Sequence, residues 1–315
     1  MTNTTNRVIV IAGPTGSGKT DVACELCRII GGEIISADSR QVYKHLDVGT
    51  NKAGVWDEGR KARVYKDTVQ HLTDIIEPSR SFNAGQFVEL ANDKTKSILD
   101  RGKIPVMTGG TGLYIKAFVD GLAPLPESDP QIRQRLCAEL ERDGIEHLYD
   151  RLKEVDPESA LKNKNNPQRL LRALEVFEIT GTPISVLHKM TTPSKYSFFQ
   201  AGLLWDSREL YSNLDSRSLN MLGSGMLEET KNIIDKGCAP GSPGLEGIGY
   251  RDVIRFLNNL ITRVELESAF KLDMRHYAKR QMTWFKKDYR VKWINLSNKT
   301  FNPVKIANDL ANMIK

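Results

Sequence analysis

Eight residues near the start of the chain, Gly13-Pro14-Thr15-Gly16-Ser17-Gly18-Lys19-Thr20, constrain its fold more than any others. They match G-x-x-x-x-G-K-[ST], the pattern of a phosphate-binding loop. The flanking residues fit that reading. Val8–Ala12 reads as a short buried strand, and Asp21–Ile30 reads as a helix. A loop between such a strand and helix turns backbone N–H groups and a helix N-terminus toward an anion. Lys19 adds a mobile cation, and the Thr20 hydroxyl suits Mg²⁺. Phosphate or diphosphate binding is therefore the expected role of Gly13–Thr20.

The alternation continues downstream. Glu33–Ala37 and Ile104–Thr108 are strand-like, the first ending at Asp38 and the second at Gly109-Gly110, with helical stretches between them. This order implies an α/β fold: a parallel sheet like that of phosphate-loop NTPases, with helices on both faces. Ligands bind such sheets at the carboxyl ends of the strands. Gly13–Thr20, Asp38-Ser39 and Gly109–Tyr114 should thus converge on one site. Beyond Gly121, Pro124, Pro126 and Pro130 break the pattern, and Gln131–Lys189 shows helical periodicity only. The expected organisation is an α/β core over 1–120, an all-helical insertion over 121–195, and a return to the core over 196–315. That last part should hold strands at Tyr196–Trp205 and Val291–Leu296.

Composition excludes several classes. The chain has 315 residues, 40% hydrophobic and 27% charged, with no apolar run near the ~18 residues of a membrane span. Met1–Arg7 is polar, so no secretory signal is expected. Four cysteines do not make a disulfide scaffold, and a cytoplasmic location follows as an expectation. Cys24-x-x-Cys27 falls inside the helix after the phosphate loop and reads as packing, and the five histidines show no metal spacing. A net charge of +6 leans toward anionic partners.

Asp38 suits either assistance to Mg²⁺ or general-base work on an acceptor, with the capping of a turn as the alternative. The turn Gly109-Gly110-Thr111-Gly112-Leu113-Tyr114 allows close backbone approach to a ligand. Gln168–Arg172 opens a helix whose Arg169 and Arg172 share a face. The clearest charge pattern is Arg275–Arg290. On a helix, Ala278, Met282, Phe285 and Tyr289 fall on one side, and Arg275, Lys279, Lys286 and Arg290 on the other, with Arg280 and Lys287 beside them and only Asp288 acidic. Tyr277 and Trp284 are interleaved. The pattern points to a polyanion, and RNA carries more charge than any mononucleotide.

Together these segments resemble the tRNA dimethylallyltransferases, also called tRNA isopentenyltransferases. The likeness rests on Gly13–Thr20, on Asp38-Ser39-Arg40-Gln41-Val42-Tyr43 with Asp47–Thr50, and on Gly109–Tyr114. It continues through Leu125–Pro130 with Arg133, Gln168–Glu175, Ile248–Arg251 and Lys279–Phe285. The resemblance implies transfer of a dimethylallyl group from its diphosphate to N6 of the adenosine 3′-adjacent to the anticodon, with Mg²⁺ as cofactor. The phosphate loop would hold the diphosphate, with Lys19 and Thr20 assisting and Asp38 as general base. Contacts to the tRNA anticodon stem-loop would come from Asp38, Ser39, Arg40, Gln41, Thr111, Arg133, Gln168, Arg169, Leu170, Leu171 and Arg172. Glu246, Gly249, Tyr250, Arg251, Lys279, Arg280 and Lys286 complete the set. The family expectation is a monomer. Where the family usually reads Leu-Tyr-x-Arg, this chain has Leu210-Tyr211-Ser212-Asn213, which implies one cation fewer at the diphosphate. Arg208, in the catalytic set, and Arg217 lie close enough in sequence to replace it. A metabolite kinase using ATP, or a non-catalytic RNA-binding protein, are the rival readings.

Overall fold

In the computed structural model, which describes residues 6–314, the chain begins β1 (Arg7–Ala12), α1 (Lys19–Ile30), β2 (Gly32–Ser36), β3 (Val55–Asp57), β4 (Ala62–Tyr65), β5 (Thr68–His71). It continues α2 (Ala84–Asp100), β6 (Ile104–Gly109), α3 (Gly112–Asp120), α4 (Pro130–Val155), α5 (Pro157–Asn163), α6 (Pro167–Thr180) and α7 (Ile184–Lys189). The last part is β7 (Ser197–Trp205), α8 (Ser207–Gly223), α9 (Met226–Asp235), α10 (Tyr250–Leu257), α11 (Arg263–Phe285), β8 (Lys292–Leu296) and α12 (Pro303–Ile314). Met1–Thr5 of the polar start lie outside the described residues. Two compact units result: Met1–Phe118 with Lys195–Lys315, and Val119–Ser194.

In the first unit the eight strands form one sheet, ordered β3-β4-β5-β2-β6-β1-β7-β8. From β5 to β8 every pairing is parallel, while β3–β4 and β4–β5 are antiparallel. Val8–Ala12, Ile34-Ile35 and Val106-Met107 are buried. Strands covered on both faces read as continuous apolar runs, which is why these were legible. Because β2, β6 and β1 are neighbours, their carboxyl ends bring Asp38, Gly109-Gly110 and the phosphate loop to one edge. Helix α1 buries Val22, Ala23, Cys24, Leu26 and Cys27 and stops at left-handed Gly31, φ 69°. Burial pushes the Cys24 thiol up to about 12 and raises Cys27 as well, so both are packing groups and not thiolates.

Strands β3–β5 have no counterpart in the sequence expectations. The β4–β5 turn is Lys66-Asp67, both at positive φ (47° and 60°), with Tyr65 paired to Thr68. Two positive φ values are the type I′ arrangement that suits a tight hairpin. The basic helix also differs from expectation. Helix α11 starts at Arg263 behind a Thr262–Glu265 capping box and ends at Phe285. Its buried side is Leu266, Phe270, Met274, Ala278, Gln281 and Phe285. Tyr289 lies past the helix and is 94% exposed, so it is no part of the apolar stripe. Among the described residues, no helix is long and apolar enough to cross a membrane.

Among its described residues the second unit has helices and connecting loops but no strand. Its core gathers Leu136, Leu148, Leu152, Leu170, Leu171, Leu174 and Val176. Helix α4 kinks at Gly144, φ 83°. Glu175 is fully buried and accepts from the Asp129 N–H (3.1 Å), the Ser128 hydroxyl and Arg172 (2.8 Å).

Candidate active site

The phosphate loop is held from behind by the body of the first unit. Trp205 Nε1 donates to the Ser17 carbonyl (3.1 Å). Gly18 takes φ 78°, and a Cβ there would come within 2.2 Å of the Phe301 ring. Glycine is thus required at position 18 by backbone and packing together. Lys19 and Thr20 form the first turn of α1, whose N–H groups have no intrahelical acceptor. Ser17 Oγ is buried without a partner.

Thr15–Thr20 line one half of a cleft, together with Asp38, Gln41, Gly109, Gly110, Arg217 and Gln281. The other half is lined by Thr15, Asp38, Thr50 and Arg217 again, with Ser39, Arg40, Met221, Glu246, Ile248, Tyr250, Met274, Tyr277 and Arg280. The four shared residues make Asp38 and Arg217 the junction. Asp38 Oδ1 accepts the N–H groups of Arg40 (2.8 Å) and Gln41 (3.3 Å). Its Oδ2 takes no hydrogen bond among the described residues. Gln41 is fastened by Ser36 Oγ (3.3 Å) and by its own bond to the Thr50 carbonyl (3.2 Å).

Two cations face this junction. Lys19 Nζ donates to the Pro14 carbonyl at 2.6 Å. Although the residue as a whole is half-buried, its ammonium lies deep among protein atoms. Desolvation pushes it down to about 7, aided by the Arg217 charge and opposed by Asp38. The Arg217 guanidinium is likewise lowered by burial and supported by Asp38. Arg217 makes no hydrogen bond or ion pair among the described residues, and its Nε is buried without a partner. Paired cations with unfilled donors are what an anionic ligand would satisfy. A consequence is measurable. Above pH ~7 the free protein holds Lys19 largely neutral, and a bound diphosphate raises its affinity for a proton. Diphosphate binding at pH 8–9 should therefore take up close to one proton, and affinity should fall as pH rises. Calorimetry in buffers of different ionisation enthalpy measures this, and a proton count near zero excludes it.

The glycine turn has a reason other than ligand approach. A Cβ on Gly109 would sit 2.1 Å from the Ala37 carbonyl, one on Gly110 2.1 Å from Gln281 Nε2, and one on Gly112 2.1 Å from the Trp284 ring. These glycines admit protein neighbours. Thr111 Oγ1 accepts the Ser39 N–H (2.9 Å), so Thr111 fastens the Asp38 loop.

The other candidate residues divide. Arg208 is a correction: it is exposed in the first turn of α8 and lines neither half of the cleft. Arg217, further along the same helix, points there instead. Asn213 donates to Asn298 (3.0 Å) beside a groove that meets the cleft at Arg217, and it lines neither half of the cleft itself. Arg40, Glu246, Arg251 and Arg280 line the cleft, whereas Lys279 and Lys286 are exposed outside it. Gly249 is buried against Phe270 and Met226. Tyr250 is 1% exposed and donates to Glu229 (2.7 Å), so it is a wall and not a free hydrogen-bonding group. In the second unit Arg133 donates to Gln168 (2.5 Å) and Arg169 is exposed. Leu170 and Leu171 are core residues with no exposed surface, which removes their side chains from RNA contact.

The sequence alone gave no role to Glu229, and placed Gln281 only within the Lys279–Lys286 stretch that the resemblance implies contacts tRNA. Glu229 gathers the N–H groups of Asp47 (2.6 Å), Val48 (2.7 Å) and Gly49 (3.0 Å), which shapes the loop that presents Thr50. Gln281 is a polar residue on the buried stripe of α11, and that misfit with helical periodicity was its available signal.

The family model for IPP transferase matches residues 41–288. A tRNA dimethylallyltransferase of Endomicrobium trichonymphae is 46% identical over 279 residues, 89% of this chain and 91% of that protein. One of Syntrophomonas wolfei is 37% identical over 294 residues, covering 93% and 92%. Among solved structures, the tRNA isopentenylpyrophosphate transferase of Bacillus halodurans superposes with a TM-score of 0.69 at 31% identity, covering 98% of this chain and 96% of that one. A eukaryotic dimethylallyltransferase acting on tRNA gives 0.79 at 25% identity, covering 98% and 79%. With a family match over most of its length and relatives this similar across nearly all of it, the chain belongs to the IPP transferase family and is an enzyme of the tRNA dimethylallyltransferase type.

Proposed function

We propose that this enzyme moves a dimethylallyl group from dimethylallyl diphosphate to N6 of the adenosine 3′-adjacent to the tRNA anticodon. The observation that carries the finer reading is the junction at Asp38: one carboxylate oxygen is committed to the backbone and the other is free, opposite Lys19 and Arg217. In the reaction the allylic C–O bond breaks, a C–N bond forms, and N6 loses a proton. Negative charge grows on the departing diphosphate. Lys19, Arg217 and the N–H groups at the start of α1 lie where they would stabilise it. Asp38 Oδ2 is the acceptor for the proton.

The phosphate-loop half of the cleft would take the diphosphate. The other half, walled by Met221, Met274, Ile248 and Tyr277, would receive the adenine. An adenine must leave its stack to enter, which costs roughly a few kcal/mol. Arg40, Arg251 and Arg280 at that half supply compensating charge for RNA phosphates.

The residues present fit Mg²⁺. No cluster of three or more His, Cys, Asp or Glu that could hold a metal occurs among the described residues, and Mg²⁺ needs none when substrate phosphates supply most ligands. The Thr20 hydroxyl lines the cleft and would hold the ion, which neutralises leaving-group charge when bound.

Strand β6 ends at Thr108-Gly109 without a carboxylate, which disfavours a nucleotide-hydrolysing reading. The discriminating test is incubation of purified protein and tRNA with labelled dimethylallyl diphosphate or labelled ATP. Label should enter tRNA from the first only. Transfer of the ATP γ-phosphoryl group with no prenylated adenosine would overturn the proposal.

A further inference from the structure

We propose that Gln281 is a positioning residue: a strut that sets the phosphate loop against the turn after β6. The inference rests on the reading of the loop as a diphosphate holder and adds to that machinery a residue that acts through the two loops it holds.

Gln281 lies on the buried side of α11 with 6% of its surface exposed. Both ends of its amide are used. Oε1 accepts the Thr15 N–H at 2.7 Å, and Nε2 donates to the Gly110 carbonyl at 2.8 Å. One side chain therefore ties the β1–α1 loop to the β6–α3 loop. The fit is tight, because a Cβ at Gly110 would fall 2.1 Å from Nε2. Thr111, next in the chain to the Gly110 that Gln281 holds, accepts the Ser39 N–H beside Asp38. The phosphate loop and the Asp38 loop are thus referenced to one helix.

Apolar residues occupy the rest of that stripe, and methionine would fill the same volume. A buried amide costs stability unless both ends are paired, and with both paired the gain over an apolar side chain is small. Fold stability alone therefore gives little reason for glutamine here. Fixing the distance between two loops does. With Thr15 held by α11 and Thr20 held within α1, the loop is anchored at both ends before any ligand arrives. Its neighbours Lys279 and Arg280 are exposed, but Gln281 is too deep to reach RNA.

The test uses the full chain and inorganic diphosphate with Mg²⁺ as the probe. Gln281→Met should weaken diphosphate binding about tenfold or more by calorimetry and speed hydrogen exchange at the Thr15 amide. The Michaelis constant for dimethylallyl diphosphate should rise with it, while affinity for an anticodon stem-loop stays within twofold. Gln281→Asn keeps the amide on an arm too short to span both loops and should shift the same quantities in the same direction; it decides the matter if the methionine variant does not fold. Unchanged diphosphate affinity in a folded variant would overturn the proposal, as would a loss confined to RNA binding. Failure of the wild-type protein to prenylate tRNA would sink the reaction assignment alone, since the diphosphate affinities would still decide what Gln281 does.

Discussion

Asp38→Asn is expected to lower turnover by about 10²–10⁴-fold and to leave tRNA affinity within several-fold. The conservative substitution separates the two things the carboxylate does. Oδ1 closes the turn by accepting the Arg40 and Gln41 N–H groups. An asparagine oxygen can still do that, so the loop keeps its shape. What asparagine lacks is a basic oxygen facing the cleft. Asp38→Ala removes both and should add the cost of two lost hydrogen bonds, about 1–3 kcal/mol together. The difference between the two variants should thus appear in stability and RNA affinity, with both low in turnover. Charge gives a further sign. Asp38 is the counter-charge that supports Lys19 and Arg217. Without it the cleft is more positive, so donor affinity should hold or strengthen while catalysis collapses. Single-turnover prenylation, paired with filter binding of tRNA, measures the split. Turnover of Asp38→Asn near the wild-type value would show that the proton leaves by another route.

Much of this site was legible because its parts are local. A phosphate loop is eight consecutive residues whose meaning depends on the strand before and the helix after, and each has its own pattern. Asp38 and Gly109 could be placed because strands β2 and β6 are buried on both faces and read as unbroken apolar runs. The hairpin from β3 to β5 was hidden for the opposite reason. Its strands are three to four residues long, and its Lys66-Asp67 turn adopts a shape usually marked by Asn-Gly. Yet Tyr65 and Gln70 of that hairpin line the cleft. The apolar face of the basic helix was legible in part: Ala278 and Phe285 are buried as the spacing predicts. Taking Tyr289 as an apolar stripe residue placed the helix end too late, whereas the chain leaves the helix at Phe285. The true stripe includes Gln281, which a hydrophobic pattern passes over. Gly109 and Gly110 of the glycine turn do line the cleft, but the bodies pressing on the turn are Ala37, Gln281 and Trp284, distant in sequence from Gly109 and visible only after folding. Arg208 and Arg217 show the same limit. Both are arginines of α8, one in its first turn and the other more than two turns further on, and only the placement of the helix tells which of them reaches the cleft.

Arg217→Met should therefore be far more damaging than Arg208→Ala: about 10²–10³-fold in turnover, against less than twofold. Arg217 is a cation in an enclosed site with no bonded partner among the described residues, and its Nε is buried and unsatisfied. Burial opposes its charge and only Asp38 supports it. Such a group is a cost to the folded state, since a buried charge lacking hydrogen bonds has lost water and gained little. It repays that cost when negative charge grows beside it, because in a water-poor cleft the attraction is strong and the donor is already in place. The bond to the diphosphate breaks in the transition state, so charge there exceeds charge in the bound donor. The defect should then fall on turnover more than on the Michaelis constant. Arg217→Lys should recover little, because an ammonium cannot offer the planar set of donors. The methionine variant should also melt at an equal or higher temperature than the wild type, since it removes an unpaired buried charge. That result would separate lost chemistry from lost folding. A variant that kept its turnover and only bound the donor more weakly would assign Arg217 to ground-state binding, and one that melted lower would show that the guanidinium has a structural partner.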